Sequence, residues 1–426
     1  MIVFTFQDIK NKLSLKDFSL KLNKSDSIQT TVSDSLLHFL TKAKKCIDNN
    51  VEEWDKYKKI TNPYEYIHTP PFINNQAQYS VANYYAISRS FYKLIEIINF
   101  FELLEIYKDM PLKSFHLAEG PGGFIEAMIY LRKKYINKDV YYGMTLQSNS
   151  KNIPKWRKLL DKFRFHTSIQ IEHGIKKNGD ILDADNYLHC MEKYKNSMDF
   201  VTGDGGFDFS VDYEKQELYS LKLIFAQIMY ALTLQKKEGT FVLKIFDIFY
   251  RPSIELIYIL HSFYEKVTIC KPKTSRFANS EKYIVCKGFL YKNTESLIPT
   301  FYNFLSCFKN EDMMIESVLS IDIPLWFIKD IEELNVIFGK KQLSIIQSTL
   351  MMIQEKRTDK IDKLRKMNIE KSIKWCEMNN FPYNYMFRPV NIFMKRSKPN
   401  DYNFNNNRLK YNNYRTKKDI FRINNT

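Results

Sequence analysis

The chain has 426 residues, 44% hydrophobic and 15% aromatic, enough to build a sizeable core in one large domain with additions or in two domains. Its formal net charge of +16 points to a polyanionic partner, nucleic acid ahead of membrane, because basic surfaces attract and steer phosphate backbones. No apolar segment reaches spanning length, the start MIVFTFQDIKNK lacks the core of a signal peptide, and six scattered cysteines without any C-x-x-C argue against a zinc site or disulfide frame and for an intracellular, reducing compartment.

In chain order, Ser33 to Ile60 carries apolar residues at helical spacing with Ser33 or Asp34 as cap, and the prolines of Thr61 to Pro71 end that helix. Asn62-Pro63-Tyr64-Glu65 does not follow an apolar strand and reads as a structural turn. Tyr79 to Tyr107 reads as a second helix, in which Lys93 taken alone is a lysine whose stem snorkels along an apolar face. Phe115 to Ala118 is a short strand, followed by Glu119, Gly120, Pro121, Gly122 and Gly123, and then by a helix with apolar residues at Phe124, Ile125, Met128 and Ile129. Only 12 residues of the chain are glycine, so three within four positions imply a backbone that must turn tightly and admit something close. The loop is neither G-x-G-x-x-G nor a Gly-Lys-Ser/Thr phosphate loop. Glu119 would repel a phosphate and could accept hydrogen bonds from the ammonium of a methionine moiety, so the loop favours S-adenosylmethionine over an ordinary βα turn.

Beyond it, strands are expected at Val140 to Leu146, Ile169 to Glu172, Met198 to Thr202, Gly239 to Phe246, Lys266 to Lys271 and Lys282 to Tyr291. Helices are expected over Asp212 to Lys236 and Pro252 to Tyr264. This alternation predicts an α/β fold with a parallel sheet covered on both faces, and ligands beyond the carboxyl ends of its strands. From about Thr300 the pattern turns helical, including a basic amphipathic stretch from Lys340 to Met378. Past Phe381 the chain becomes Asn-, Tyr- and Arg-rich low complexity, expected to be disordered and suited either to tethering RNA or to nothing. The division expected is a helical N-terminal extension (1–78), an α/β domain (79–292), a helical region (293–380) and a basic tail (381–426).

Three polar residues stand where strands should be apolar or end. Lys244 lies within Phe241 to Phe246, Asp204 closes a strand between glycines, and Glu281 immediately precedes the last strand. An unpaired buried charge is costly, so these groups need one another or a function. As a set on one rim, function is the better reading.

The ordered series SRSFYK, EGPGGF, GMTL, GDI, GDGG, LKIFD and KPKTSRFANSEKYIVCKGF, spanning about Tyr79 to Phe289, resembles the FtsJ-like ribose 2′-O-methyltransferases, most closely their eukaryotic and viral mRNA-cap branch. The resemblance implies a Rossmann-like sheet that uses S-adenosylmethionine, a catalytic tetrad of Lys93, Asp204, Lys244 and Glu281, and no metal. It implies cofactor contacts at Ser88, Glu119, Gly120, Pro121, Gly122, Gly123, Phe124, Asp180, Ile181 and Asp204. RNA contacts follow at Glu214, Lys215, Gln216, Lys244 and Asn279. The substrate implied is capped mRNA, methylated on the ribose of its first transcribed nucleotides. A lysine beside a second lysine is a candidate acceptor for the hydroxyl proton, with the two acids orienting them. Ribosomal or transfer RNA as substrate, and a non-catalytic RNA-binding subunit, stay open as alternatives, as does a helical C-terminal part that binds a polymerase or capping enzyme. Composition rich in Asn, Lys, Ile and Tyr suggests an AT-rich genome, a large DNA virus or a protist, and hence a cytoplasmic viral factory or virion, or otherwise a nucleus.

Overall fold

The computed structural model describes the chain except residues 10, 25–27, 72–78, 136, 149–153, 207–215, 310–311 and 388–426. Among the described residues lie ten strands: β1 (Ile2–Thr5), β2 (Phe18–Lys24), β3 (Lys113–Leu117), β4 (Val140–Met144), β5 (Ile169–Ile171), β6 (Met198–Gly203), β7 (Gln235–Ile245), β8 (Tyr264–Lys271), β9 (Lys282–Phe289) and β10 (Met313–Leu319). The helices are α1 (Asp34–Asp48), α2 (Val51–Thr61), α3 (Ser90–Phe101), α4 (Gly123–Leu131), α5 (Arg157–Lys162), α6 (Ala184–Tyr194), α7 (Gln216–Leu234), α8 (Arg251–Phe263), α9 (Ile298–Ser306), α10 (Leu325–Glu355) and α11 (Thr358–Met378).

Eight strands form one sheet in the order β1-β8-β9-β7-β6-β3-β4-β5. The β5-β4-β3-β6-β7 run is parallel, and β9 is inserted antiparallel between β7 and β8. Parallel strands with both faces covered read as continuous apolar runs, as Phe241-Val242-Leu243 and Phe200-Val201 do. The chain leaves β3 toward β4 and β5, then returns to place β6 on the other side of β3. Such a reversal of strand order is where open α/β sheets take their ligands, and here it falls at the carboxyl ends of β3 and β6. Glu119 and Asp204 follow those two strand ends.

Several expectations are corrected. The segment before residue 79 is not helical throughout. β1 pairs antiparallel with the edge strand β8, Ile2 opposite Lys271, and β2 pairs with β10, Met313 opposite Lys24. The second pairing also places a strand in the region expected to be helical from residue 293. Such short strands draw their stability from partners far along the chain, and no local periodicity announces them. The helix expected over Ser33 to Ile60 is broken at Asn49–Asn50 into α1 and α2. The one expected over Tyr79 to Tyr107 is confined to α3, ended by Glu102 in the left-handed region. The basic stretch is divided between α10 and α11 at Lys356, also left-handed. Met1–Asn384 forms one compact unit, with α10 packed on α1 and α2. Gly339 permits this closeness, since a Cβ there would lie 2.8 Å from Leu36 Cδ2. Behind it Trp54, Tyr57, Ile60, Ile346 and Ile353 form a small core of their own. No described helix is long and apolar enough to cross a membrane.

Candidate active site

Lys244 stands near the end of β7, opposite Tyr283 of β9. Its ammonium donates to the backbone carbonyl of Asp204 at 2.6 Å and lies 3.2 Å from the Asp204 carboxylate. The Tyr283 hydroxyl donates to the same carboxylate at 3.1 Å. A lysine is tolerated in this apolar strand because its stem is covered while its charged end meets an acid at the rim.

The second pair arrives from other elements. Lys93 of α3 reaches Glu281 at 2.7 and 2.8 Å, contacting both carboxylate oxygens, and its ammonium lies 5.9 Å from the centre of the Tyr283 ring. Ser275 donates to Glu281 at 2.8 Å. Burial works against the Glu281 carboxylate, and the ammonium groups of Lys93, Lys244 and Lys271 outweigh it, holding it well below the usual carboxylate range. Lys93, Asp204, Lys244 and Glu281 are therefore one electrostatic unit joined through Tyr283. The snorkelling role for Lys93 is replaced by a doubly anchored ion pair.

Lys271 was not singled out by the sequence, although it sits among these groups. Its ammonium is buried beneath the segment 272–281, donating to the Asn279 carbonyl at 2.7 Å, the Asn279 side-chain oxygen at 2.9 Å and the Glu281 carbonyl at 2.6 Å. Burial pulls its pKa down to about 7 against the attraction of Glu281. Asn279, expected to touch RNA, is exposed, with both its oxygens accepting from Lys271 and its backbone N–H donating to the Arg276 carbonyl. Gln216 accepts from Ser280 at 2.6 Å at the same rim. Glu214 and Lys215 lie outside the described residues.

The glycine turn stands at the neighbouring strand end. Gly122 has φ +104°, a conformation that favours glycine. What comes close to these glycines is partly the chain itself: a Cβ on Gly120 would strike the Pro154 carbonyl, one on Gly122 would lie 2.8 Å from Leu159, and one on Gly123 would meet the hydroxyls of Ser88 and Ser90. Ser88 and Ser90 share a hydrogen bond of 2.6 Å, and both hydroxyls stand against the turn at Gly123. Glu119 is sealed, and burial raises its pKa against the pull of His116. Thr202 donates to its Oε1, while Oε2 has no hydrogen-bond donor and lies 3.3 Å from His116 Nδ1. An acid with an oxygen that lacks a hydrogen-bond partner, standing beside the glycine turn, fits the ammonium end of S-adenosylmethionine. Asp180 caps the backbone N–H of Leu182 at 2.9 Å, and Gly179 packs on the Thr145 carbonyl, bringing this segment to the end of β4. Ile181 and Phe124 are buried, the Phe124 ring 6.1 Å from Tyr283, so both support the site from beneath. Pro121 follows Gly120 through a cis peptide bond.

The family model for FtsJ-like methyltransferases matches residues 86–289. The cap-specific mRNA (nucleoside-2′-O-)-methyltransferase 1 of Mus musculus is 31% identical over 316 residues, covering 71% of this chain and 36% of that protein. Its Danio rerio counterpart is 30% identical over 330 residues, covering 74% of this chain and 38% of that protein. The chain thus spans little more than a third of the length of these curated relatives. A crystal structure described as a ribosomal RNA methyltransferase from Plasmodium falciparum has 21% identity and a TM-score of 0.34, covering 48% of this chain and 98% of that one.

Proposed function

We propose that this chain, whose residues 86–289 match the family model for FtsJ-like methyltransferases, methylates a ribose 2′-hydroxyl of RNA from S-adenosylmethionine, at the first transcribed nucleotides of capped mRNA. The observation that carries the reading is the pairing of two lysines from different elements, Lys93 with Glu281 and Lys244 with Asp204, on one rim beside the glycine turn. The cap specificity is drawn from relatives named for that activity.

A ribose hydroxyl is a poor nucleophile until its proton is removed or shared as the new bond forms. Lys244 is the group we assign to accept that proton as a neutral amine: the Asp204 carbonyl and carboxylate take its N–H groups, its lone pair is left for the hydroxyl proton, and the ammonium that forms is paired with Asp204. Lys93 sets a second positive charge against the oxygen as negative charge develops there, with Glu281 keeping its ammonium in place. Tyr283 holds Asp204 through its hydroxyl and lies against Lys93 through its ring, linking the two pairs. When bound, S-adenosylmethionine supplies an electrophilic methyl carbon on a sulfonium that departs as a neutral thioether. The residues that would hold it are Glu119 to Gly123, Ser88 and the Asp180 segment. Much of the acceleration then comes from alignment, which rigid strand ends supply better than loops.

The test is methyl transfer from labelled S-adenosylmethionine to short capped and uncapped RNAs, followed by nuclease mapping of the modified ribose. Label in the first transcribed ribose of capped RNA alone supports the proposal. Equal labelling of capped and uncapped RNA at internal positions would replace it with a ribosomal or transfer RNA substrate, and binding without transfer would leave a non-catalytic RNA-binding subunit.

A further inference from the structure

Glu65, within the turn Asn62-Pro63-Tyr64-Glu65, has a fully buried side chain and yet draws together three separate parts of the chain. Its carboxylate accepts from Arg276 through both Nε at 3.0 Å and an Nη at 2.6 Å, from Arg89 at 3.4 Å, from Asn62 at 2.7 Å and from Thr69 at 3.2 Å. Burial opposes the charge, and the two guanidinium groups overcome it, holding the Glu65 carboxyl near 2. Arg89 also donates to the Thr274 carbonyl at 3.2 Å, so it straddles the gap between the start of α3 and the segment 272–281.

One carboxylate faces two guanidinium groups here, which leaves one positive charge in excess. The carboxylate side chain is 0% exposed, while those of Arg89 and Arg276 are 26% and 25% exposed, so the acid lies behind and the cations in front. His68 adds nothing to the surplus: burial and the nearby Arg89 bring its pKa to about 3, which keeps the ring uncharged. Arg89 stands one helical turn before Lys93 and shares its face, placing the surplus charge beside the tetrad. Each guanidinium keeps N–H groups that Glu65 does not use, in the planar fork that matches two oxygens of a phosphate.

We propose that Glu65 is a positioning residue that fixes Arg89 and Arg276 as a clamp for one RNA phosphodiester next to the ribose at Lys244. The inference rests on RNA being the substrate. It adds a binding subsite whose two arginines lie within the motif segments 88–93 and 271–289 and whose anchor, the turn at Glu65, lies outside them, and it gives that turn a part in substrate alignment.

Two variants of the full chain test it, Glu65→Gln and Arg89→Gln, the second leaving the Arg276–Glu65 pair and its tether intact. Binding is read by fluorescence anisotropy of a labelled, capped ten-nucleotide single-stranded RNA across a salt series, S-adenosylmethionine affinity by calorimetry, and folding by thermal midpoint. Both variants are expected to weaken RNA binding about tenfold, to lower the log–log salt slope by roughly 0.7 for the one phosphate no longer neutralised, and to raise KM for RNA more than they lower kcat. Affinity for S-adenosylmethionine should stay within twofold. Unchanged RNA affinity and slope in folded Arg89→Gln would overturn the clamp even if Glu65→Gln misfolds, since the turn would then be structural only. A wild-type protein that shows this clamp-dependent binding without methylating RNA would leave the clamp standing and remove the proposed activity, so the two failures are distinguishable.

Discussion

At the scale of single residues, the division of labour between the lysines decides what substitution does. Lys244 touches Asp204 and Tyr283 lies across from it, whereas the Glu119 and glycine-turn groups assigned to the cofactor belong to another strand end. Lys244→Ala is therefore expected to lower turnover by about 10²-fold or more, in the range of general-base catalysis, with S-adenosylmethionine affinity unchanged by calorimetry. Retention of a tenth of wild-type turnover in a folded variant would remove Lys244 from the role of base. A second residue with a readable titration is Glu217, whose carboxylate accepts from Phe249 N, Tyr250 N and Ser253 at the start of α8. Burial raises its pKa from an ordinary 4.5 to about 7, only partly offset by those donors. Between these values the folded form keeps a proton that the unfolded form has released, so stability falls as pH rises through that window. Glu217→Gln should flatten the dependence, the stability difference between wild type and variant shifting by about 2 kcal/mol in denaturant titrations at pH 5 and pH 7. Parallel pH profiles would show that Glu217 keeps its charge in the fold.

Among the elements, the strand–turn–helix from β3 to α4 carries the tightest geometric demand. Gly122 adopts φ +104° and faces Leu159 of α5 at a distance that leaves no room for a side chain. Gly122→Val combines a left-handed backbone with a β-branched residue and a collision, and should cost about 2 kcal/mol or more. The loss is expected both in thermal stability and in S-adenosylmethionine binding, because α5 must shift away from the turn. Unchanged cofactor affinity in the folded variant would place the cofactor away from this turn. The segment 272–281 is the counterpart on the side proposed to meet RNA. It is pinned at three points by buried charges: Lys271 beneath it, Glu96 accepting from Lys273 N and Thr274 N, and Glu65 holding Arg276. Trp375 of α11 donates to the same Glu96 at 3.0 Å, so a C-terminal helix braces the segment that ends in Glu281.

For the molecule as a whole, the net charge of +16 exceeds what a paired tetrad accounts for, since Lys93, Lys244, Asp204 and Glu281 sum to zero. Residues 388–426 lie outside the described residues, and their sequence interleaves Lys and Arg with Tyr, Phe and Asn, a composition suited to phosphate binding and base stacking. Their removal should weaken RNA binding and reduce its salt dependence by roughly 0.7 in slope for each phosphate that the tail neutralises, without moving S-adenosylmethionine affinity. The same affinity and slope after truncation would assign RNA binding wholly to residues 1–387.

Taken by itself, the amino-acid order determined the parallel α/β alternation, the glycine turn and three out-of-pattern charged residues, Asp204, Lys244 and Glu281, while Lys93 was drawn in only by the family resemblance. Each of these is written locally: a lysine inside Phe241 to Phe246 or three glycines in four positions violates a nearby pattern strongly enough to be noticed. Only the tertiary structure decided what those residues meet. β1 and β2 lie more than 260 residues from their partners in β8 and β10 along the chain, and strands of four and seven residues without a clear alternation carry no signal until the partner edge exists. The turn at Glu65 looked structural for the same reason, because its chemistry depends on Arg276, 211 positions away. Lys271 was likewise illegible, since a lysine closing a strand reads as a solvent-facing end. It is the folding of the segment 272–281 over its ammonium that buries it, and long-range burial of this kind changes a residue's chemistry without changing anything in its neighbourhood of sequence.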